Sequence, residues 1–594
     1  MSYRRKKLLA LFFAMALSMT AVAGCTGIKS STGNVVSSET ETNAEETSAQ
    51  SEEGTFSSAD MFTERDLAGT YEESGAVYVT LSDDGITGET DGVVIKGQTV
   101  TITAEGTYIF SGTLSEGQIV VDADNAKVQI VFDNVDITCA SSAAVYVKSA
   151  EKVFVTLAEG SQNTLRNTDE YVAIDDNNID AVIFAKSDLT LNGTGSLTII
   201  SAEGHGIVSK DDLKIIGGTY DITAAGHALS GKDSVRIADG TFILTAEKDG
   251  IHAENADDEE KGYIYIADGD FTITSDGDGM DASNIVQIED GTLDITAGGG
   301  AANSLKTHES DMPGGPGGGM PQNGEKLDGE SMPQMGEKPD GENMPQDTTT
   351  DESGTSTKGI KAGGGMYLNG GTYQIDSADD SIHSNANITI ADGTYTLATG
   401  DDGVHADDAL IVNGGTITVT ESYEGLEGLA VTINDGTIDI TASDDGINTA
   451  GEKMELNGGY IHILAGGDGV DSNGDLTING GEIYIDGPSD NGNSAIDYGD
   501  RSSAYVNGGT LVAIGSSGMA EVMSDSSKQK VLMVKLGEQM EAGNVVLTDS
   551  EGNVIVSYTA LKTYDCVIIS TAEVESGATY TLTTSGTTTE VTAE

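Results

Sequence analysis

The 594-residue chain has no tryptophan, three cysteines, and 29 Lys+Arg against 97 Asp+Glu. Each shortage excludes something. With a formal net charge of −68, the chain has no basic surface to neutralise phosphates, so nucleic acid is ruled out as a partner. Cys25, Cys139 and Cys566 are too few for a disulfide framework. Cys139 and Cys566 fall in apolar stretches and read as buried free thiols. Without tryptophan, the flat platform that commonly grips crystalline cellulose is missing, and Tyr423, Tyr484 and Tyr498 are the candidate exposed substitutes. Hydrophobic residues make up only 37%, which at this charge means disorder unless they are strictly patterned. No single core accommodates this length, so several domains or an elongated repeat must absorb it.

The first segment reads as an address. Arg4, Arg5, Lys6 and Lys7 precede an apolar run from Leu8 to Leu17, then Val22-Ala23-Gly24-Cys25. That order describes a secretory signal over residues 1–24. Its small residues ending at a cysteine resemble the bacterial lipobox, which implies a lipid on Cys25. The expected location is the outer face of a bacterial membrane. Residues 25–70 are Ser/Thr/Glu-rich and read as a disordered tether.

The apolar residues beyond it are patterned. A glycine recurs at Gly218, Gly240, Gly269, Gly291, Gly371, Gly393, Gly415, Gly436, Gly459, Gly481 and Gly509, with a dominant spacing of 22 residues. A period in this range signals a repeat architecture. Around each glycine the apolar positions alternate with period two, as in Leu410, Val412, Ile417 and Val419, so the elements are strands. Three short strands per repeat with tight glycine turns predict an all-β fold, a single-stranded parallel β-helix of about 22 residues per coil. Stacking the coils makes the core continuous.

Equivalent residues then form ladders with a spacing of about 4.8 Å. Two residues before the glycine stand Asn369, Asn413, Asn434, Asn457, Asn479 and Asn507, a predicted ladder of amide hydrogen bonds. Two residues after it stand Tyr220, Phe242, Phe271, Tyr373 and Tyr395, which read as core. Residues 71–200 are less regular β material suited to N-terminal capping coils, and 201–526 carry the repeats. Residues 527–594 read as a small C-terminal β-rich cap. About residues 307–357 interrupt the repeats with six of the seven prolines and an imperfect copy, MPQNGEKLDGES then MPQMGEKPDGEN. That stretch has no packable face and reads as an extruded loop.

Chemistry concentrates in an acidic turn. Nine residues past the glycine come Asp249, Asp278, Asp380, Asp402, Glu424, Asp445 and Asp468. At twelve come His252, Asp281, His383, His405, Glu427, Asn448 and Asp471, and doubling at eight adds Asp379, Asp401 and Asp444. Carboxylates stacked at this spacing repel by about 3–4 kcal/mol per pair at an effective dielectric near 20. The expected counter-ion is Ca²⁺, which accepts six to eight oxygens in flexible geometry. The assigned ligands are Asp249, Asp278, Asp281, Asp380, Asp401, Asp402, Glu424, Glu427, Asp444, Asp445, Asp468 and Asp471. The histidines at twelve offer a transition metal as the lesser alternative.

The runs EGQIVVDADNAKVQIVFDNVDIT, AAVYVKSAEKVFVTLAEGSQNTL, SDLTLNGTGSLTI, GIVSKDDLKIIGGTYDITA and KGYIYIADGDFTIT resemble the bacterial secreted carbohydrate-binding β-helix family, itself similar in fold to pectate lyases. The resemblance spans roughly residues 75–590. It implies a right-handed parallel β-helix, bound Ca²⁺ and affinity for extracellular cellulose-like and acidic plant polysaccharides. Without a clustered Arg/Lys pair for substrate carboxylates, the expected function is non-catalytic binding. The rival readings are a polysaccharide lyase on uronate-containing glycans, with Lys361 or Lys306 as base, and a purely structural or adhesive surface protein.

Overall fold

The computed structural model describes residues 55–306, 356–499 and 501–593. The expected signal, Cys25 as the expected lipidation site, most of the expected tether and nearly all of the proline-rich stretch lie outside them.

The alternating apolar residues form strands whose inner side chains are sealed from water. Thr219–Ala224, Thr241–Ala246 and Asp270–Ser275 each alternate strictly between exposed and buried residues. No strand of this length can bury its apolar edge alone, and each is covered by its counterpart one repeat later. The pairing is parallel and skips two strands each time, so Tyr220 faces Phe242 and Phe242 faces Phe271. Forty-five strands join in one continuous, mainly parallel sheet. The fold is therefore all-β, dominated by a long parallel sheet. The register survives the proline-rich stretch, because Leu293 pairs with Tyr373 as though nothing intervened.

Both predicted ladders are present. The Tyr/Phe positions are core, with Tyr220, Phe242, Phe271, Tyr373 and Tyr395 all buried. Their rings stack at 5.3 Å (Tyr220 on Phe242), 4.7 Å (Phe242 on Phe271) and 4.5 Å (Tyr373 on Tyr395). The asparagine amides donate from one repeat to the one before it: Asn434 to Asn413, Asn457 to Asn434, Asn479 to Asn457 and Asn507 to Asn479, at 2.8–2.9 Å. Asn369 differs, donating to Glu289 Oε2 at 3.1 Å.

The tether is shorter than its composition suggests. Glu64–Leu67 forms one helical turn closed by a Thr63/Asp66 capping box. Asp66 is fully buried, where Lys152 Nζ lies at 2.6 Å and Thr190 Oγ1 donates at 2.8 Å. Phe56 packs on Tyr263 with centroids 4.3 Å apart. A few apolar anchors and one paired carboxylate fix residues 55–70 to the sheet despite their polar composition.

The irregular N-terminal strands join the same sheet, with Leu197 in register with Tyr220. At the other end the chain reverses direction. Tyr564–Ser570 runs antiparallel to Thr510–Gly515 and covers its open edge. A second, four-stranded antiparallel sheet packs a separate small core around Val545, Leu547, Tyr564 and Tyr580. An uncovered strand edge invites association, and this arrangement closes it. Cys139 and Cys566 are buried and free.

Ile438 is fully buried in the ladder, between Ile417 and Ile461. Ile438→Asp places an unpaired carboxylate there and should cost at least about 4 kcal/mol. Denaturant unfolding checks this, and an unchanged midpoint would refute the register.

Candidate functional site

The corner of the repeat is built by the residue nine past the glycine. A short side chain leaves an oxygen level with the next repeat, where a turn N–H lacks a backbone acceptor. One carboxylate oxygen takes that N–H: Asp249 Oδ1 accepts from Asp278 N at 2.9 Å and Asp278 Oδ1 from Lys358 N at 2.6 Å. Asp380 Oδ1 accepts from Asp402 N, and Asp402 Oδ1 from Glu424 N, both at 3.2 Å. Asp445 Oδ1 and Asp468 Oδ1 do the same for Asp468 N and Ser494 N. Upstream the ladder continues in histidine, with His205 Nδ1 accepting from His227 N and His227 Nδ1 from Asp249 N. His205 and His227 were missed in the sequence, although His227 stands nine past Gly218. Burial and the neighbouring His227 push His205 down to about 3, so its nitrogen stays a lone-pair acceptor.

The remaining oxygens meet different partners along the axis. At the first repeats Asp249 Oδ2 lies 3.0 Å from His227 Nδ1 and 3.1 Å from His252 Nδ1. The imidazoles of His205, His227 and His252 stack at 4.8 and 4.1 Å. Lys361 Nζ sits 3.5 Å from Asp278 and 3.3 Å from Asp281. In the middle Lys358 reaches Asp380 at 2.6 Å and Asp379 at 3.0 Å. Lys306 lies 2.6 Å from Asp379 and also touches Asp401. Lys361 and Lys306, the two lysines named from the sequence as candidate bases, therefore both lie on this corner, Lys361 on a rung and Lys306 from just before the proline-rich stretch. Lys358, on another rung, was not singled out in the sequence.

This placement bears on the lyase reading. Burial opposes the charge of Lys306 and Lys361, but the carboxylates around them outweigh it and hold both ammoniums above the ordinary lysine range. A base that takes a proton from a sugar carbon must first lose its own, and neither lysine is poised for that.

The last repeats have no such neutralisation. Asp445, Asp468 and Asp471 bring one carboxylate oxygen each within 4.8 Å of one another, and no basic side chain pairs with any of them among the described residues. Asp497 stacks next to Asp471 in the ladder, and Asp444 adjoins Asp445. Burial and the charges of Asp444 and Asp468 push Asp445 up to about 8. Burial, with Asp497 and other neighbours, lifts Asp468 to about 7 and Asp471 to about 6. Just before them Asn448 donates to Glu424 Oε2 at 2.9 Å, and Glu427 lies 3.2 Å from His405.

A second surface feature runs along the same repeats. Gly436, Gly459 and Gly481, with Thr437, Tyr460 and Glu482, line an open surface groove. A side chain on Gly459 would put its Cβ 2.6 Å from the Gly436 carbonyl oxygen, so rung spacing keeps this position bare. Tyr460 is 42% exposed there. The three tyrosines singled out in the sequence are half-buried instead. Tyr484 stacks on Tyr558 at 5.2 Å, Tyr498 donates to the Val522 carbonyl at 2.7 Å, and Tyr423 sits at the corner itself.

The acidic end generates a pH dependence. Unfolded aspartates titrate near 4, whereas Asp445, Asp468 and Asp471 hold protons to about 6–8 when folded. The native state therefore binds more protons than the unfolded chain across about pH 4–8, and stability falls as pH rises through that window. In chelator, wild type minus Asp445→Asn/Asp468→Asn should show a thermal transition that declines from pH 5 to 8. A rising or flat difference would show that these carboxylates do not repel.

A family model described as a carbohydrate-binding domain-containing protein matches residues 96–403 and 401–551. A carbohydrate-binding domain-containing protein of Acetivibrio thermocellus is 41% identical over 135 residues, 22% of this chain and 47% of that protein. The chain thus spans about half the length of that relative. A solved structure of a polysaccharide lyase-like protein from C. thermocellum, a gadolinium derivative, is 36% identical, covers 38% of this chain and 92% of its own, and superposes with a TM-score of 0.37. With both matches running together through most of its length, the chain belongs to the family of carbohydrate-binding domain-containing proteins.

Proposed function

We propose that this chain is a Ca²⁺-dependent polysaccharide-binding protein without catalytic activity, exported and lipid-anchored through Cys25 on the outer face of a bacterial membrane. Its long sheet is a right-handed parallel β-helix of about 22 residues per coil, with residues 527–594 as its C-terminal cap. The observation that carries the metal reading is the group Asp445–Asp468–Asp471, whose carboxylates converge without a basic partner. Three carboxylates at such range offer oxygen donors of the kind Ca²⁺ takes in flexible geometry, where Mg²⁺ demands a tighter octahedron. A chain of net charge −68 repels a polyuronate, and bound Ca²⁺ supplies the bridging charge. Family membership supports the glycan.

The groove favours a further mode for neutral, cellulose-like chains, because the Tyr460 ring is a sugar-stacking surface beside bare glycines.

Stepwise Ca²⁺ addition to chelator-treated protein should raise the thermal transition, since a ligand held only by the native state adds about 2.7 kcal/mol at a hundredfold excess over Kd. Asp445→Asn/Asp468→Asn should reduce that gain and weaken polygalacturonate binding. Tyr460→Ala should weaken only neutral glucan binding. A flat Ca²⁺ titration with polygalacturonate binding intact would leave the acidic end as a solvated edge.

A further inference from the structure

The Ca²⁺ reading rests on oxygen donors at the last repeats. The middle of the corner has a different chemistry, set by imidazole. His383 occupies the centre of Ile382–Ser384 and His405 stands beside it in the next strand, in register. His383 is 9% exposed. Its Nδ1 is closed to solvent and makes no hydrogen bond, although Asp380 Oδ2 lies 2.9 Å away. The other nitrogen, Nε2, is 2.9 Å from Asn385 Oδ1. A buried ring nitrogen set against a carboxylate without hydrogen-bond geometry is an unsatisfied polar atom aimed into the corner.

His405 has the same orientation, although its Nδ1 is hydrogen-bonded to Asp402 Oδ2 at 3.2 Å. Glu427 Oε2 lies 3.2 Å from the same nitrogen, and Nε2 faces Asp407 Oδ1 at 3.5 Å. Further up the ladder His252 does the same, with Nδ1 3.1 Å from Asp249 and Nε2 3.4 Å from Glu254. In all three, one nitrogen turns into the corner and the other meets an oxygen outside it. Metal-binding histidines are oriented in this way, because the outer acceptor fixes the tautomer and leaves the inner lone pair free.

We propose that His383 and His405, with Asp380 and Asp402, form a site for a borderline first-row cation, Zn²⁺ foremost, distinct from the Ca²⁺ end. One donor atom each from Asp380, His383 and His405 lies within 4.8 Å of the others. A tetrahedron with bonds of about 2.0 Å has edges of about 3.3 Å, and the His383–Asp380 and His405–Asp402 separations of 2.9 and 3.2 Å are close to that. Mixed imidazole and carboxylate donors suit Zn²⁺ better than Ca²⁺, which takes oxygen alone. Lys358 now contacts Asp380 Oδ2, but Asp379 Oδ1 at 3.0 Å is a second partner to which it retreats.

The test uses the full chain after chelator treatment, with Zn²⁺ titrated by calorimetry under saturating Ca²⁺ and X-ray absorption recorded on the loaded protein. The site predicts one Zn²⁺ that Ca²⁺ does not displace, with imidazole scattering in its spectrum. His383→Gln and His405→Gln should each weaken it tenfold or more. Asn385→Ala, which leaves every proposed ligand in place, should weaken it about tenfold by freeing the His383 ring, and it serves if the buried His383→Gln fails to fold. The Ca²⁺ titration should stay unchanged in all three, so failure here is separable from failure of the Ca²⁺ reading. Absence of Zn²⁺ binding, Zn²⁺ affinity indifferent to both histidines, or displacement by Ca²⁺ would each overturn the site.

Discussion

Everything in this molecule depends on one constraint: parallel in-register stacking sets each residue directly against its counterpart in the next repeat. For Ile417, Ile438 and Ile461 this is favourable, because identical apolar shapes cover one another and the core has no end until the sheet does. For asparagine it is also favourable, since an amide both donates and accepts, and each repeat satisfies its neighbour. For aspartate it is costly, because a carboxylate only accepts and like charges are pressed together. The corner is where that cost is concentrated.

Two different means offset it along the axis. Imidazole intervenes at Asp249 and lysines at Asp379, Asp380 and Asp401, while among the described residues nothing basic pairs with Asp445, Asp468 or Asp471. At Asp249, Asp278, Asp380, Asp402, Asp445 and Asp468 one carboxylate oxygen is committed to a turn N–H of the next repeat, which explains why an acidic residue suits a position where charge is unfavourable. The other oxygen is left for whatever the environment supplies. Structure and the proposed cation binding would use opposite sides of the same side chain, and Asp→Asn separates them by keeping the acceptor and removing the charge.

The period, the strands, the aromatic core ladder and the asparagine ladder were legible because each is a repeat, and repetition is visible without coordinates. What escaped was which partner each side chain meets. Lys306 was named from the sequence only as a candidate base, and the register across the proline-rich stretch is what pairs it with Asp379 and Asp401. His205 and His227 act as lone-pair acceptors in a ladder that looked purely acidic. Phe56, Met61 and Asp66 anchor a segment whose composition reads as tether. The exposure of Tyr460, rather than Tyr484 or Tyr498, depends on what the C-terminal strands cover.

The central claim is that the stacked carboxylates of the last repeats are arranged around a divalent cation. Anomalous diffraction from crystals grown with Ca²⁺, recorded at a long wavelength, tests it most directly. The account predicts a calcium peak among the carboxylates of Asp445, Asp468 and Asp471. Diffraction of sufficient strength with no peak there would contradict it.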